Sequence, residues 1–273
     1  MADKKRLAVI GDPIAHSLSP RLHNAMAAAL GLPYAYEAVR VAADGLPAWL
    51  DRVRREGWAG FNATMPHKLH LIPLLDRMTD QAVYFGAVNT VRNDGGVLTG
   101  HNTDGDGFAR MLAEHGLGFA GAHVTLLGAG GAAGAIARKA LQDGAARITV
   151  HNRTVSRAAA LCEADLARMT AAGLDAPVAA DTNLLINTLP VGSGLECGFV
   201  SALGRDCAVV DILYAPPRTP LLLAAEERGL LAVNGLGMLI HQAILAFEFF
   251  TGAAVDATAM APVLYRAAGE GGG

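Results

Sequence analysis

Residues 124–134 read Val-Thr-Leu-Leu-Gly-Ala-Gly-Gly-Ala-Ala-Gly, an apolar run that breaks into glycine and reopens as an alanine-rich helix. A strand that ends in such a glycine triad and feeds a helix specifies a βα unit whose helix start lies open to a diphosphate. Gly128 permits the tight turn, Gly130 lets the backbone approach a pyrophosphate closely, and Ala133 keeps the helix near its strand. Ala129, Gly131 and Ala132 complete the turn, where free N–H groups and the positive end of the helix dipole face outward. A glycine-rich strand–helix turn with no ligand is the bland alternative, and the strand and helix on either side weigh against it.

The next strand candidate, Ile148–Val150, selects the dinucleotide. It runs into His151, Asn152, Arg153 and Thr154 about 20 residues after the glycines, where an NAD-binding unit places an acidic residue on the ribose hydroxyls. Here Asn152 stands beside Arg153, and Arg157 follows one helical turn later. Two guanidinium groups suit a 2′-phosphate that a carboxylate would repel. These residues indicate NADP rather than NAD, the alternative being two solvated surface arginines.

Other short apolar runs fall at Leu7–Ile10, Tyr36–Val41, Gly60–Ala63, Leu184–Asn187, Ala208–Ile212 and Leu231–Val233, mostly separated by amphipathic stretches. This βαβ rhythm predicts parallel sheets. Ser19 before Pro20 predicts a helix N-cap. Over 273 residues, 52% hydrophobic and 17% charged, there is material for two cores. The net charge of -3 offers no basic field for nucleic acid. Three cysteines, Cys162, Cys197 and Cys207, give neither a disulfide framework nor zinc spacing, and His67 with His70 lacks a carboxylate partner, so no metal is expected. Leu7–Ile10 is too short for a signal-peptide core and Leu239–Phe250 too short to span a bilayer, so a cytoplasmic protein without membrane contact is expected. A boundary near His101–Asp106 and long helical patterns after Gly237 predict an α/β chain of two domains. Residues 1–104 with 239–273 would form one α/β domain completed by C-terminal helices, and 105–238 a Rossmann-type dinucleotide-binding domain.

The first half carries polar motifs that packing would not ask for: His-Ser-x-Ser-Pro at 16–20, Asn-x-Thr-x-Pro-x-Lys at 62–68, Gly-Ala-Val-Asn-Thr at 86–90 and Asn-Thr-Asp-Gly at 102–105. With the glycine turn, Asn-Arg-Thr at 152–154, Asp211 and Tyr214, Thr-Pro-Leu at 219–221, and Gly235 to Leu239 followed by Gln242, the chain resembles the shikimate dehydrogenase family over nearly its whole length. The resemblance implies NADPH-dependent reduction of 3-dehydroshikimate to shikimate in aromatic amino acid biosynthesis, with residues 1–104 and 239–273 as the substrate domain and the Rossmann domain inserted between, while the residues leave monomer and homodimer both open. It implies Lys68 and Asp104 as the catalytic pair, and Ser17, Ser19, Asn62, Thr64, Asn89, Tyr214 and Gln242 as substrate-binding residues. Asp80, Thr188, Ile212, Gly235 and Met238 would lie near the cofactor.

The chemistry agrees with those roles. A ketone gaining hydride develops negative charge on oxygen, which an ammonium group can stabilise and protonate. Asp104 would hold Lys68 in place and keep it charged, and could also cap the helix from Gly105. Hydroxyls and amides can read a small polyhydroxy carboxylate. Gln242 on an apolar helix needs partners that packing does not supply. Alternatives are a quinate/shikimate or aminoshikimate dehydrogenase, a non-catalytic ligand sensor on the same fold, and, less well suited to the Ser17/Ser19 loop, a folate-type dehydrogenase. The sequence departs from the family pattern at Ala63, Leu189 and Ser193, the last two in a loop expected on the nicotinamide side.

Overall fold

A computed structural model describes residues 4–190 and 196–269. Two compact units emerge, one of residues up to Gly107 with those from Leu239 onward, the other of Phe108–Met238.

In the first unit β1 (Lys5–Gly11), α1 (Ser19–Ala29), β2 (Tyr34–Arg40), α2 (Leu46–Glu56), β3 (Gly60–Ala63), α3 (His67–His70), β4 (Arg77–Met78), α4 (Asp80–Phe85), β5 (Thr90–Asp94) and β6 (Val97–His101) lead into α5 (Asp104–Glu114). The six strands form one sheet in the order β2-β1-β3-β5-β6-β4. It is not the parallel sheet expected: β5 runs antiparallel to β3 and to β6. Polar residues within Thr90–Asp94 and Val97–His101 hide these strands from a search for apolar runs, and the Gly95-Gly96 turn closes them into a hairpin. Ala8, Ile10, Trp49, Trp58, Phe61, Val91 and Leu98 form a core beneath α2. Ser19 does not cap α1. It is the first helical residue and Leu18 the N-cap, while the Ser17 hydroxyl accepts from the Ser19 N–H at 3.3 Å. The serine thus stabilises the helix start from two residues upstream.

In the second unit β7 (His123–Leu127), α6 (Gly131–Gln142), β8 (Arg147–His151), α7 (Val155–Cys162), β9 (Met169–Ala172), β10 (Leu184–Asn187), α8 (Glu196–Val200), β11 (Ala208–Asp211), α9 (Pro220–Glu227) and β12 (Leu231–Asn234) precede α10 (Leu236–Thr251), which re-enters the first unit. α11 (Ala257–Ala268) follows. All pairings in this sheet are parallel, in the order β12-β11-β10-β7-β8-β9. That is the doubly wound order, with its switch point between β7 and β10. Strand period places Leu184 and Ile186 in a core with Ala133 and Ile136 of α6, and Leu185 in a second core with Leu221 and Ala225 of α9. Cys162 and Cys207 are buried free thiols. Among the described residues no helix is long and apolar enough to cross a membrane, and no cluster could hold a metal ion.

Candidate active site

Register gathers the polar motifs of the first unit at one sheet edge. Parallel pairing sets Ile10 beside Ala63, so the loops after β1 and β3 emerge together. Antiparallel pairing sets Asn62 opposite Thr90 and Thr90 opposite His101. The residue before β5, Asn89, therefore meets the residues after β6, Thr103 and Asp104. A parallel strand could not have brought its entering residue to this edge.

Lys68 Nζ donates to Asp104 Oδ2 at 2.5 Å. The lysine side chain is 19% exposed and the carboxylate 5%. Asp104 Oδ1 accepts from Asn89 Nδ2 at 2.9 Å, so its side chain serves the lysine and the amide, and the Asn102 Oδ1 takes the Asp104 N–H at the helix start. Asn89 Nδ2 also donates to Thr103 Oγ1, and Gln242 Oε1 lies 3.5 Å from Asn89 Nδ2 and Thr103 Oγ1. α10 reaches this cluster because α5 carries Gly107, where a Cβ would meet the Gln242 backbone N at 2.8 Å.

The expected substrate residues divide into two sets. Asn62 donates both amide hydrogens, to the Asn89 carbonyl and to Thr90 Oγ1, and accepts from the Tyr36 hydroxyl. Asn89 is likewise engaged at both ends, its Oδ1 accepting from Thr90 Oγ1 and the Thr103 N–H. By contrast, among the described residues the hydroxyl hydrogens of Ser17, Ser19 and Thr64 donate to nothing, and Gln242 spends one amide hydrogen on the Leu239 carbonyl. Unspent donors in such a cluster suit a ligand rich in oxygen. Nearby, burial lowers the His101 pKa to about 4, with the Asp106 charge opposing, so the ring is neutral. His67 is a core histidine bonded to the Val41 carbonyl, while His70 is exposed. Asp80 is exposed in the first turn of α4, which Thr79 caps. Thr90, Thr103 and Tyr36 carry much of the network and drew no role from sequence. Thr90 and Thr103 lay inside recognised motifs, and Tyr36 read as strand core.

In the second unit the glycine turn lies at the switch point. Gly128 has φ +108°, and a Cβ there would overlap the Thr188 hydroxyl, which itself donates to the Leu127 carbonyl at 2.7 Å. Gly130 is the exposed N-cap of α6 and supplies no side-chain acceptor, and a Cβ there would have no neighbour within 4 Å. The helix start is thus open to an anion, as a dinucleotide requires. The Gly128 N–H donates to the His151 carbonyl, tying the turn to the end of β8. There Asn152 donates to the Thr154 carbonyl, and Arg153, Thr154 and Arg157 are exposed. Among the described residues neither arginine is in an ion pair, which leaves both charges available to a phosphate. Gly235 has no room for a side chain against the Ile212 carbonyl. Ile212 packs on the core that holds Met238, and Tyr214 is half-buried in the loop after β11. Leu189 packs partly buried against the α9 core, with its N–H held by Asn187 Oδ1 at 3.0 Å. Ser193 and the side chain of Cys197 lie outside the described residues.

Three family models match the chain: "Shikimate dehydrogenase substrate binding domain" over residues 9–91, "Shikimate / quinate 5-dehydrogenase" over 111–176 and "Shikimate 5'-dehydrogenase C-terminal domain" over 235–265. A protein of Geobacter metallireducens named shikimate dehydrogenase (NADP(+)) is 42% identical over 261 residues, covering 90% of this chain and 91% of its own. The Thermus thermophilus shikimate 5-dehydrogenase crystallised with NADP(H) and shikimate superposes with a TM-score of 0.84 at 37% identity, covering 96% of this chain and 99% of its own. The Listeria monocytogenes shikimate 5-dehydrogenase in complex with shikimate and NAD gives a TM-score of 0.85 at 34% identity, covering 97% of each chain.

Proposed function

The chain belongs to the shikimate dehydrogenase family, and from that premise we propose that it reduces 3-dehydroshikimate to shikimate with NADPH, using Lys68 and Asp104 as its proton-transfer pair. The observation that carries the reading is the 2.5 Å Lys68–Asp104 contact, with the carboxylate held from its other oxygen by Asn89 Nδ2.

Bound NADPH supplies the hydride that adds to the substrate's carbonyl carbon. As the carbonyl oxygen gains negative charge, Lys68 Nζ donates a proton to it, so one C–H and one O–H bond form. Asp104 fixes the ammonium in position throughout. The neutral amine left behind regains its proton from water, to which the lysine side chain is partly open. Ser17, Ser19 and Tyr214 bind the substrate carboxylate, and Thr64 and Gln242 read its hydroxyls. Asn62 and Asn89 belong to the same site with their donors engaged inside the protein. Asn89, whose oxygen already accepts two bonds, touches substrate only by exchanging one of them, whereas Asn62 Oδ1 accepts only from Tyr36 and keeps a second lone pair. Gly128 to Ala133 cradle the diphosphate, Asn152, Arg153, Thr154 and Arg157 take the adenosine end, and Asp80, Thr188, Ile212, Gly235 and Met238 border the nicotinamide side.

An assay across shikimate, quinate, NADP and NAD tests the assignment. Shikimate with NADP should give the highest kcat/KM, and faster turnover of quinate with NAD overturns it. Lys68→Ala should lower kcat by orders of magnitude with little change in KM. Near-full turnover in that variant removes Lys68 from the mechanism, and a wild-type chain that binds shikimate without turnover would be a sensor.

A further inference from the structure

Two backbone groups fix the direction of a hydrogen-bond chain that ends on Asp104. The Thr103 N–H can only donate, and it lies 2.9 Å from one end of the Asn89 amide, which is therefore the oxygen. The Asn89 carbonyl can only accept, and it lies 3.1 Å from one end of the Asn62 amide, which is therefore the nitrogen. The other end of Asn62 is an oxygen, so the Tyr36 hydroxyl 2.7 Å away must donate to it. Asn62 Nδ2 spends its second hydrogen on Thr90 Oγ1 at 2.9 Å. Because Thr90 accepts there, its own hydrogen is turned to Asn89 Oδ1 at 2.8 Å. Asn89 Nδ2 then donates to Asp104 Oδ1 at 2.9 Å, leaving Oδ2 for Lys68.

We propose that Tyr36 and Thr90 are positioning residues for the reaction, forming with Asn62 and Asn89 a one-way donor chain that holds the Asp104 carboxylate, and through it Lys68, in catalytic register. The inference rests on the reading of Lys68 and Asp104 as the catalytic pair. All of Tyr36, Asn62, Thr90, Asn89 and Asp104 are buried, so water does not compete for these bonds. Bonds aligned head to tail polarise one another, and the polarisation accumulates toward the anion at the end. The chain also answers a geometric problem. A threonine hydroxyl rotates, and only a donor from behind, here Asn62, forces its hydrogen onto Asn89. His23, stacked on the Tyr36 ring at 4.1 Å, and Phe247 behind it hold the chain's origin.

The test compares Thr90→Val, Thr90→Ser, Tyr36→Phe and Lys68→Ala. Chains with a folded first unit are counted by the fluorescence of Trp49 and Trp58, both in that unit's core, and kcat is expressed per folded chain. Thr90→Val keeps the shape and removes the relay, and kcat should fall about 10- to 100-fold, the effect of losing alignment at a charged hydrogen bond. KM for NADP should stay unchanged. Thr90→Ser restores the hydroxyl and should recover most of the loss, a rescue that a packing role would not give. Tyr36→Phe, at the far end, should cost less, about 2- to 10-fold. Wild-type kcat per folded chain in Thr90→Val, or equal impairment in Thr90→Val and Thr90→Ser, overturns the relay. If Thr90→Val loses the folded tryptophan signal, Tyr36→Phe decides, and full turnover there overturns it. An active Lys68→Ala defeats the catalytic pair itself. An inactive Lys68→Ala beside a fully active Thr90→Val defeats the relay alone.

Discussion

Replacing Gly107 with alanine sets two effects against each other. Alanine is the better helix former by about 1 kcal/mol, and Gly107 lies inside α5, so propensity alone predicts a gain. Packing predicts the opposite. The new Cβ would lie 2.7 Å from Gln242 Cβ, 2.8 Å from its backbone N and 2.9 Å from its Cα. Two of those atoms are backbone of α10, which cannot swing aside as a side-chain tip would. Restoring ordinary contact requires α5 and α10 to separate locally by more than half an ångström, as judged from a usual carbon–carbon distance of about 3.5 Å. Overpacking of this kind costs about 1–3 kcal/mol or more. The net change should be a destabilisation of up to about 2 kcal/mol, read as a Tm drop of up to about 8 °C for a unit of this size. The displaced residue is Gln242, so KM for shikimate should rise in the same variant. Gly118→Ala is the control, because a Cβ there meets nothing within 4 Å and φ is ordinary, and it should leave Tm level or slightly raised. Calorimetry with steady-state kinetics gives both readouts. A Gly107→Ala protein with raised Tm and unaltered KM would refute the packing argument.

Arg153→Ala should lower kcat/KM for NADPH by about 10- to 100-fold while leaving NADH almost unaffected, since a charge-assisted bond to a 2′-phosphate is worth about 1.5–3 kcal/mol. Equal losses with both cofactors would place the arginine elsewhere. His23 should make the first unit acid-sensitive. Burial lowers its pKa to about 3, so the fold keeps it neutral while an unfolded chain takes up a proton below its ordinary value. Its contribution is complete above about pH 6.5 and is lost as pH falls toward 3, at a slope of up to about 1.4 kcal/mol per pH unit. Urea melts at pH 6, 5 and 4 should show that slope reduced in His23→Leu, and an unchanged slope would assign the acid sensitivity to other groups.

The local pattern of the chain sufficed for whatever depends on neighbours in sequence. The run from Val124 to Gly134 specifies a strand, a turn and a helix start by itself, because each needs only φ freedom, an absent Cβ and a short apolar stretch. The arginines after β8 were legible for the same reason, since the end of that strand must lie beside the turn in any parallel pairing of β7 with β8. Lys68, Asp104 and Gln242 were visible as polar residues within recognisable motifs. Their mutual distances were not, because they depend on strands separated by dozens of residues.

Tertiary structure decided direction and partnership. Thr90–Asp94 and Val97–His101 alternate too weakly to announce strands, and only pairing with β3 makes them a hairpin, turning a sheet expected to be parallel into a mixed one. That reversal is what carries Asn89 to Asp104. It also separates two kinds of polar residue that look alike in sequence: Ser17, Ser19 and Thr64 keep hydrogens to donate, whereas Asn62 and Asn89 have spent theirs. Sequence supplies a side chain's donors and acceptors. Register determines which of them are already satisfied, because a buried amide bonds to whatever the opposing strand sets within about 3 Å of it.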